Sequence, residues 1–420
     1  MKLTKKSKQL MTYFNNNNNN NNNIISHVKT TNKTILLLSE LYRSIVESYN
    51  FLLTLKKQQN KIYSVKIKHI TNISQISKPK SFNQNSFPET VRNHINNKSL
   101  VEIIYSFSLY DRKITIIFIV ENDDIEYNIN VYTDYVDSII LWLFILNKYS
   151  SKNCSANLII YLYFTSLKKT FPKTNLEILD EINVNTAFTT TCPKDSEIVV
   201  FRKEEWFKVL IHETFHNFGL DFSDMNTSDS TDFILSILKV DSQVNLYESY
   251  TETWAEIINI SFCSFLTIKN KNNFDDFISK FETLINLERM YSYFQMVKIL
   301  HFMGLTYKDL YSTTSYSKSL RDTMYKEKTN VLSYYVLKTI LLNNYQGFLL
   351  WCKINNTNLL QFKRNEISQI SYCELIKKNY KTQSMLENVD KMQTFLLKIN
   401  EKHTKTFLLS NLRMTLCEMG

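Results

Sequence analysis

The sequence predicts an α+β fold on three observations. β-Branched and aromatic runs crowd the part of the chain before residue 203, helical spacing of apolar residues dominates after it, and a helix at the junction carries His-Glu-x-x-His. With 420 residues, 44% of them hydrophobic, the chain can bury a large core and is long enough for two or three domains. Its formal net charge is +10, yet Lys and Arg are scattered without a compact basic block, so a solvated basic surface accounts for the charge better than a nucleic-acid partner does. Six cysteines, Cys154, Cys192, Cys263, Cys352, Cys373 and Cys417, are spread without a Cys-x-x-Cys pair. They are expected as free thiols of a reducing compartment, with Cys192 structural. No apolar secretory segment opens the chain, and the most apolar run, Ile139 to Leu146, falls far short of the roughly 20 residues that span a bilayer. A cytoplasmic, unexported protein without a membrane span is expected.

The elements divide the chain into five regions. Residues 1–23 end in the Asn tract Asn15 to Asn23 and are expected to form a disordered Asn-rich tail. Residues 24–98 are a helical and polar region with one docked helix, Lys33 to Lys56, whose apolar positions Ile35, Leu38, Leu41, Ile45, Tyr49, Leu52 and Leu55 keep helical spacing. Residues 99–182 form a β-rich subdomain. Its runs Val101–Leu109, Lys113–Val120 and Ile125–Tyr132 suggest an antiparallel meander, followed by a helix over Asp134–Lys148 and a buried strand over Ala156–Phe164. Residues 183–305 hold two short strands, Asn183–Thr190 and Glu197–Arg202, then the motif helix, a short helix over Asp232–Val240, a long one over Tyr247–Ile268, and helical pattern over Asp275–Gln295 and Met296–Leu305. Residues 306–420 are a helical C-terminal region that includes Val331–Leu342 and Met385–Ile399.

The motif is His212, Glu213 and His216 within Lys203 to Gly219. Residues four apart share a helix face, so His212 and His216 can offer two imidazole nitrogens to one ion, while Glu213 lies about 100° round, near the ion and free of it. Glu204 and Glu205 in the first turn and Gly219 at the stop suit a helix, and the pattern is a zinc-hydrolase signature. A catalytic zinc takes three protein ligands and keeps a position for water, so a third ligand is needed. A metzincin would supply a histidine at position 222, where this chain has Phe222; Asp221 and Asp224 flank that position off its register. Glu248, Glu252 and Glu256 recur every four residues on one face of the next long helix, among the packing residues Tyr247, Tyr250, Trp254 and Ala255. Like charges at that spacing cost about 0.2–0.5 kcal/mol per pair, a cost that a nearby dication reverses.

With these residues the chain resembles the gluzincins, the thermolysin-like zinc metallopeptidases, in which His-Glu-x-x-His is followed on a later helix by Glu-x-x-x-Asp. The resemblance covers about residues 183 to 305 and implies a zincin-like unit with a β-rich part before it and a helical portion after it. It implies Zn2+ held by His212, His216 and Glu252, with Glu213 as the base that activates a water. Glu256, in place of the family's Asp, would hold a ligand imidazole by its second nitrogen. Gluzincins add a histidine or tyrosine that steadies the oxyanion. His301 is the histidine candidate, with Tyr291, Tyr293 and Tyr307 competing. Asn185 to Thr189 is similar to the strand that lines the family's cleft and pairs with an extended peptide. The Asn run and the bias toward Asn, Lys, Ile and Tyr look like those of a large DNA virus or an AT-rich protist, and a viral origin would place the protein in the virion or host cell. The expected activity is zinc-dependent peptide hydrolysis. The alternatives are a zincin-derived metal-binding or virion structural protein without turnover, and a basic nucleic-acid-binding protein in which the motif is incidental.

Overall fold

Between residues 64 and 200 the β-branched runs pair into one mixed sheet of six strands in the order β1-β2-β3-β4-β6-β5. This is a computed structural model that describes residues 1–19, 24–58, 62–123, 125–400 and 406–420. The strands are β1 (Ser64–His69), β2 (Val101–Leu109), β3 (Arg112–Val120), β4 (Asn157–Phe164), β5 (Ala187–Thr189) and β6 (Asp195–Val200). β1, β2 and β3 are antiparallel, β3, β4 and β6 are parallel, and β5 turns back antiparallel on β6 at the edge. The helices before and between strands are α1 (Lys5–Asn19), α2 (Asn32–Gln58), α3 (Glu89–Lys98), α4 (Ile125–Leu146) and α5 (Glu181–Val184). After the sheet come α6 (Trp206–Asn217), α7 (Ser228–Ile237), α8 (Leu246–Thr267), α9 (Phe274–Phe302) and α10 (Ser315–Met324). A π-helical turn (Leu332–Leu337) then runs into α11 (Lys338–Asn343), followed by α12 (Tyr345–Asn355), α13 (Glu366–Asn379), α14 (Gln383–Asn400) and α15 (Thr406–Ser410).

The fold class is thus α+β, with helices on both faces of the sheet. β3 explains why: Ile114, Ile116, Phe118 and Val120 enter the main core, while Ile117 and Ile119 enter a second, smaller one with Phe87, Val91 and Ile95 from α3 and the loop before it. A strand covered on both faces reads as a continuous apolar run, as this one does. The sheet crosses the boundaries expected at 98/99 and 182/183, and the main core gathers residues from Leu10 to Met419.

Three expectations are corrected. The run Ile125–Tyr132 is not the third strand of a meander but the first part of α4. β3 takes the parallel neighbour β4, a pairing that requires a crossover, and α4 is that crossover. The antiparallel partner of β2 is instead β1, hidden in a stretch read as polar because its side chains are mostly exposed. The tail expected to be disordered over 1–23 is helical over Lys5–Asn19, because Phe14 is fully buried against Tyr291 and Phe294 of α9; residues 20–23 lie outside the described residues. The helical pattern over Asp275–Gln295 and Met296–Leu305 is a single helix, α9, to Phe302. The stretch Asn128–Leu146 has the length and hydropathy of a membrane span, and 67% of it is buried within the fold. Trp142 from this stretch donates to Thr214 Oγ1 of α6 at 2.8 Å, so the helix is spoken for as core.

The free-thiol expectation is also corrected. Cys154 and Cys192 form a disulfide that ties the segment before β4 to the turn between β5 and β6, and Cys263, Cys352, Cys373 and Cys417 are free and buried. The bridge lies against the end of α6: a Cβ on Gly219 would stand 3.4 Å from Cys192 Cβ. It closes a loop of 38 residues, and on loop entropy alone it stabilises the fold by about 3–4 kcal/mol. The double variant Cys154→Ser/Cys192→Ser is expected to lose about that much in denaturant titrations. Reductant is expected to cost the wild type the same amount and to leave the variant unaffected.

Candidate metal centre

α6 is buried along its whole length, from Trp206 to Asn217, so each polar group on it needs a partner inside the protein. Glu205 precedes it in the left-handed region (φ 62°) and does not cap it. Its carboxylate turns outward instead, accepting from Met414 N at 2.7 Å and Thr415 N at 2.6 Å and pairing with the Lys169 ammonium. At the other end Gly219 (φ 66°) closes the helix, with Leu220 N donating to Phe215 O at 2.8 Å. Asn217 ties the helix to the sheet, accepting from Ser155 and Ser196 hydroxyls and donating to Thr189 Oγ1 of β5 at 2.9 Å.

His212 and His216 face α8. Their Nε2 atoms stand 3.1 Å apart, and Glu248 Oε2 lies 3.0 Å from the first and 3.5 Å from the second. Ligands at about 2.0–2.2 Å from one tetrahedral zinc stand about 3.3–3.5 Å from each other; the His216–Glu248 pair has that spacing, and the other two pairs stand a few tenths of an ångström closer, at hydrogen-bond distance. The opposite nitrogens are fixed from behind: Glu252 Oε2 meets His212 Nδ1 at 3.0 Å, and Asp221 Oδ2 meets His216 Nδ1. With each Nδ1 carrying its hydrogen toward a carboxylate, both Nε2 lone pairs and a carboxylate oxygen converge on one point. Such a set of acceptors calls for a cation, whether protons or a metal. Burial alone would lower both histidine pKa values. The carboxylates outweigh it, Glu248 and Glu252 raising His212, and Asp221 and Glu248 raising His216 well above its usual range. Burial pushes Glu248 up, and the two imidazoles more than offset this and hold it well below the usual carboxylate range.

The geometry differs from the assignment made from sequence by one helical turn. Glu248 occupies the place given to Glu252, and Glu252 the place given to Glu256. Glu252 is held in turn by the ammonium of Lys208, one turn before His212, with Lys338 Nζ at 3.6 Å from the same oxygen. Glu256 reaches neither imidazole. Its two oxygens are buried without a hydrogen bond, 3.7 Å from Lys338 Nζ at the nearest, and burial followed by the repulsion of Glu288 raises its pKa well above the carboxylate range. Asp221, weighed as a ligand from the sequence, orients His216 and is itself fixed by Ser223 and Thr251; Asp224 pairs with Arg364 at 3.0 Å.

Glu213 is 7% exposed, and its carboxylate has no hydrogen-bond partner among the described residues. Burial, reduced by the two imidazoles, lifts its pKa to about 7. It lines a cavity of about 30 Å³ with His212, Tyr334 and the backbone stretch leading into β5. His301 is not part of this group; it sits exposed in the last turn of α9. Tyr291, Tyr293 and Tyr307 are committed elsewhere, to Asn411, Met385 and Tyr380. The hydroxyl at the site belongs to Tyr334, on the π-helical turn, which donates to Glu248 Oε2 at 3.2 Å with its ring edge-on to His212. No sequence signal marked it, because it comes from a region without a motif and more than a hundred residues after His216.

No protein-family model, curated protein or solved structure matches this chain, and no family is assigned to it.

Two outcomes test the geometry. Glu248→Gln is expected to lose stoichiometric zinc in metal analysis, Glu252→Gln to bind it about 10–100-fold more weakly in chelator competition, and Glu256→Gln to bind it as the wild type does. The reverse order for Glu248 and Glu252 would restore the assignment made from sequence. The second outcome concerns stability. An acid whose pKa rises on folding holds its proton more tightly in the folded state, so stability is full below the ordinary carboxylate range and declines as pH rises above it. Glu256→Gln removes that decline. It is expected to stabilise the protein at pH 7.5 and to change little at pH 4, read from denaturation midpoints at the two pH values.

Proposed function

We propose that this chain is a zinc-dependent peptide hydrolase. The observation that carries the reading is the convergence of His212 Nε2, His216 Nε2 and Glu248 Oε2 within 3.5 Å of one another, beside an unpartnered Glu213 at the wall of a cavity. The donor set of two imidazoles and one carboxylate suits zinc, and the carboxylates behind each imidazole are the partners that ligating histidines require. The gluzincin pattern fits with Glu248 in the ligand position and Glu252, four residues later, in the position of the family's Asp.

A zinc ion held there supplies the charge that acidifies a water and polarises a peptide carbonyl. Glu213 is free to take the proton of the attacking water and return it to the leaving amine nitrogen; burial gives it the basicity for both steps. Tyr334 directs its hydroxyl into the same space and can donate to the oxygen that gains charge as the carbonyl is attacked. β5 ends the sheet with one edge unpaired among the described residues and lies across the cavity from α6, so an extended peptide can add to it by backbone hydrogen bonds. The narrowness of the cavity favours, as a second reading, a protein that holds the metal without turnover.

Glu213→Gln separates the two. If peptides are hydrolysed, it is expected to keep its zinc and lose about 10²–10⁴-fold in kcat/KM on a peptide library. Tyr334→Phe is expected to keep its zinc and lose about 10²–10³-fold in kcat. Wild-type protein that binds zinc and cleaves no peptide would support the second reading.

A further inference from the structure

We propose that the Cys154–Cys192 disulfide is a redox switch on the candidate metal centre: a dithiol that opens it weakens zinc binding, and Thr191, Ser223 and Asp221 carry the effect to His216. The proposal rests on the zinc-binding reading above and adds regulation to it.

The bridge stands behind the site, at the end of α6. A Cβ on Gly219 would lie 3.4 Å from Cys192 Cβ and 3.7 Å from Cys154 Sγ. A neighbour of each cysteine reaches the helix or the loop that follows it. Ser155, next to Cys154, donates to Asn217 O at 3.2 Å, and Asn217 donates to Thr189 Oγ1 and Thr190 O on the approach to Cys192. Thr191, next to Cys192, meets Ser223 Oγ at 2.8 Å, and Ser223 Oγ donates to Asp221 Oδ1 at 2.9 Å. A hydroxyl has one hydrogen, so Ser223 spends its own on Asp221 and Thr191 is the donor to Ser223. The other oxygen of Asp221 meets His216 Nδ1. An unbroken row of hydrogen bonds thus joins the residue beside the bridge to the partner of an imidazole in the site.

The bridge can be reached and has a strained conformation to release. Cys192 is half-buried, whereas Cys154 is 2% exposed and Cys263, Cys352, Cys373 and Cys417 are free and buried. Cys192 (φ 49°) and Ser155 (φ 56°) both lie in the left-handed region, which a side chain occupies only while its surroundings hold it there. With the bond open, Cys192 is free to leave that region and take Thr191 with it. Ser155 N still donates to Pro193 O at 2.7 Å and Asn157 N to Lys194 O at 3.0 Å, so the turn loosens without coming away. A dithiol supplies the two electrons. Its first thiolate attacks the accessible Cys192 Sγ, the disulfide bond breaks, and Cys154 leaves as a thiolate that takes up a proton. The second thiol then displaces Cys192, which gives the oxidised reductant and two cysteine thiols.

The test uses the full chain. A small dithiol is applied to the folded protein and removed without air before zinc is added, so that it cannot compete for the ion, and affinity is read by chelator competition. Alkylation and mass measurement are expected to find the bridge open and the four buried thiols unmodified. The reduced chain is expected to bind zinc about 10-fold more weakly than the oxidised one, and reoxidation to restore the affinity. Cys154→Ser/Cys192→Ser is expected to match the reduced chain with or without dithiol. Thr191→Val, which keeps the bridge, is expected to bind about 10-fold more weakly when oxidised and to change little on reduction, with circular dichroism reporting that each form is folded. A bridge that the dithiol leaves closed, a reduced chain that unfolds, equal affinity in both redox forms, or wild-type affinity in Thr191→Val would overturn the switch. Any of these with peptide cleavage intact in the oxidised chain leaves the peptidase. Weaker zinc binding on reduction without cleavage in either form removes the peptidase and leaves the switch; no zinc in either form removes both.

Discussion

The molecule is organised by the need to partner two imidazoles on a helix that water barely reaches. His212 and His216 are 6% and 8% exposed, so each of their four ring nitrogens has to be answered by protein or by a cation. Asp221 and Glu252 answer the two Nδ1 atoms, and each needs support of its own. Asp221 obtains it from Ser223 and Thr251, and Glu252 from Lys208 and Lys338. Lys338 in turn donates to Met414 O, so the chain of partners reaches the last ten residues of the sequence. A buried acid left without its cation would cost several kcal/mol, which is why these groups occur as a connected set and not as isolated pairs.

What was legible in the sequence follows from which forces are local. The motif helix could be placed because helical spacing, a glycine stop and the four-residue separation of the histidines are all local properties. The glutamate helix was legible for the same reason, and so was the prospect that it brings a carboxylate to the two histidines. Which glutamate reaches both Nε2 atoms was not legible. Glu248, Glu252 and Glu256 share a face, and the choice among them depends on where along its length α8 crosses α6, a quantity set by packing. One clue was available. Lys208 lies one turn before His212 on a buried helix, and a lysine there requires a buried acid at its own level; had Glu252 been assigned to Lys208, Glu248 would have been left for the two Nε2 atoms.

The misread elements have a common cause. Ile125–Tyr132 has the composition of a strand, but β3 found its neighbour in β4 and the intervening chain had to cross over as a helix. β1 pairs along its full length while keeping most side chains in solvent, so no apolar alternation announced it. Tyr334 and the Cys154–Cys192 bridge depend on contacts between segments far apart in sequence, for which periodicity carries no information.

The position of Glu205 bears on how the chain is made. Its carboxylate is answered by backbone amides 209 and 210 residues further on, and the same C-terminal segment binds Glu288 of α9 and the ammonium of Lys338 near Glu252. During synthesis the His-Glu-Thr-Phe-His segment therefore emerges from the ribosome long before the residues that hold its start in place. Folding from the N-terminus can lay down the sheet, α6 and α8, but the wall of the cavity closes only when residues 411–420 have threaded between helices already formed. A site assembled in that order stays incomplete on the nascent chain.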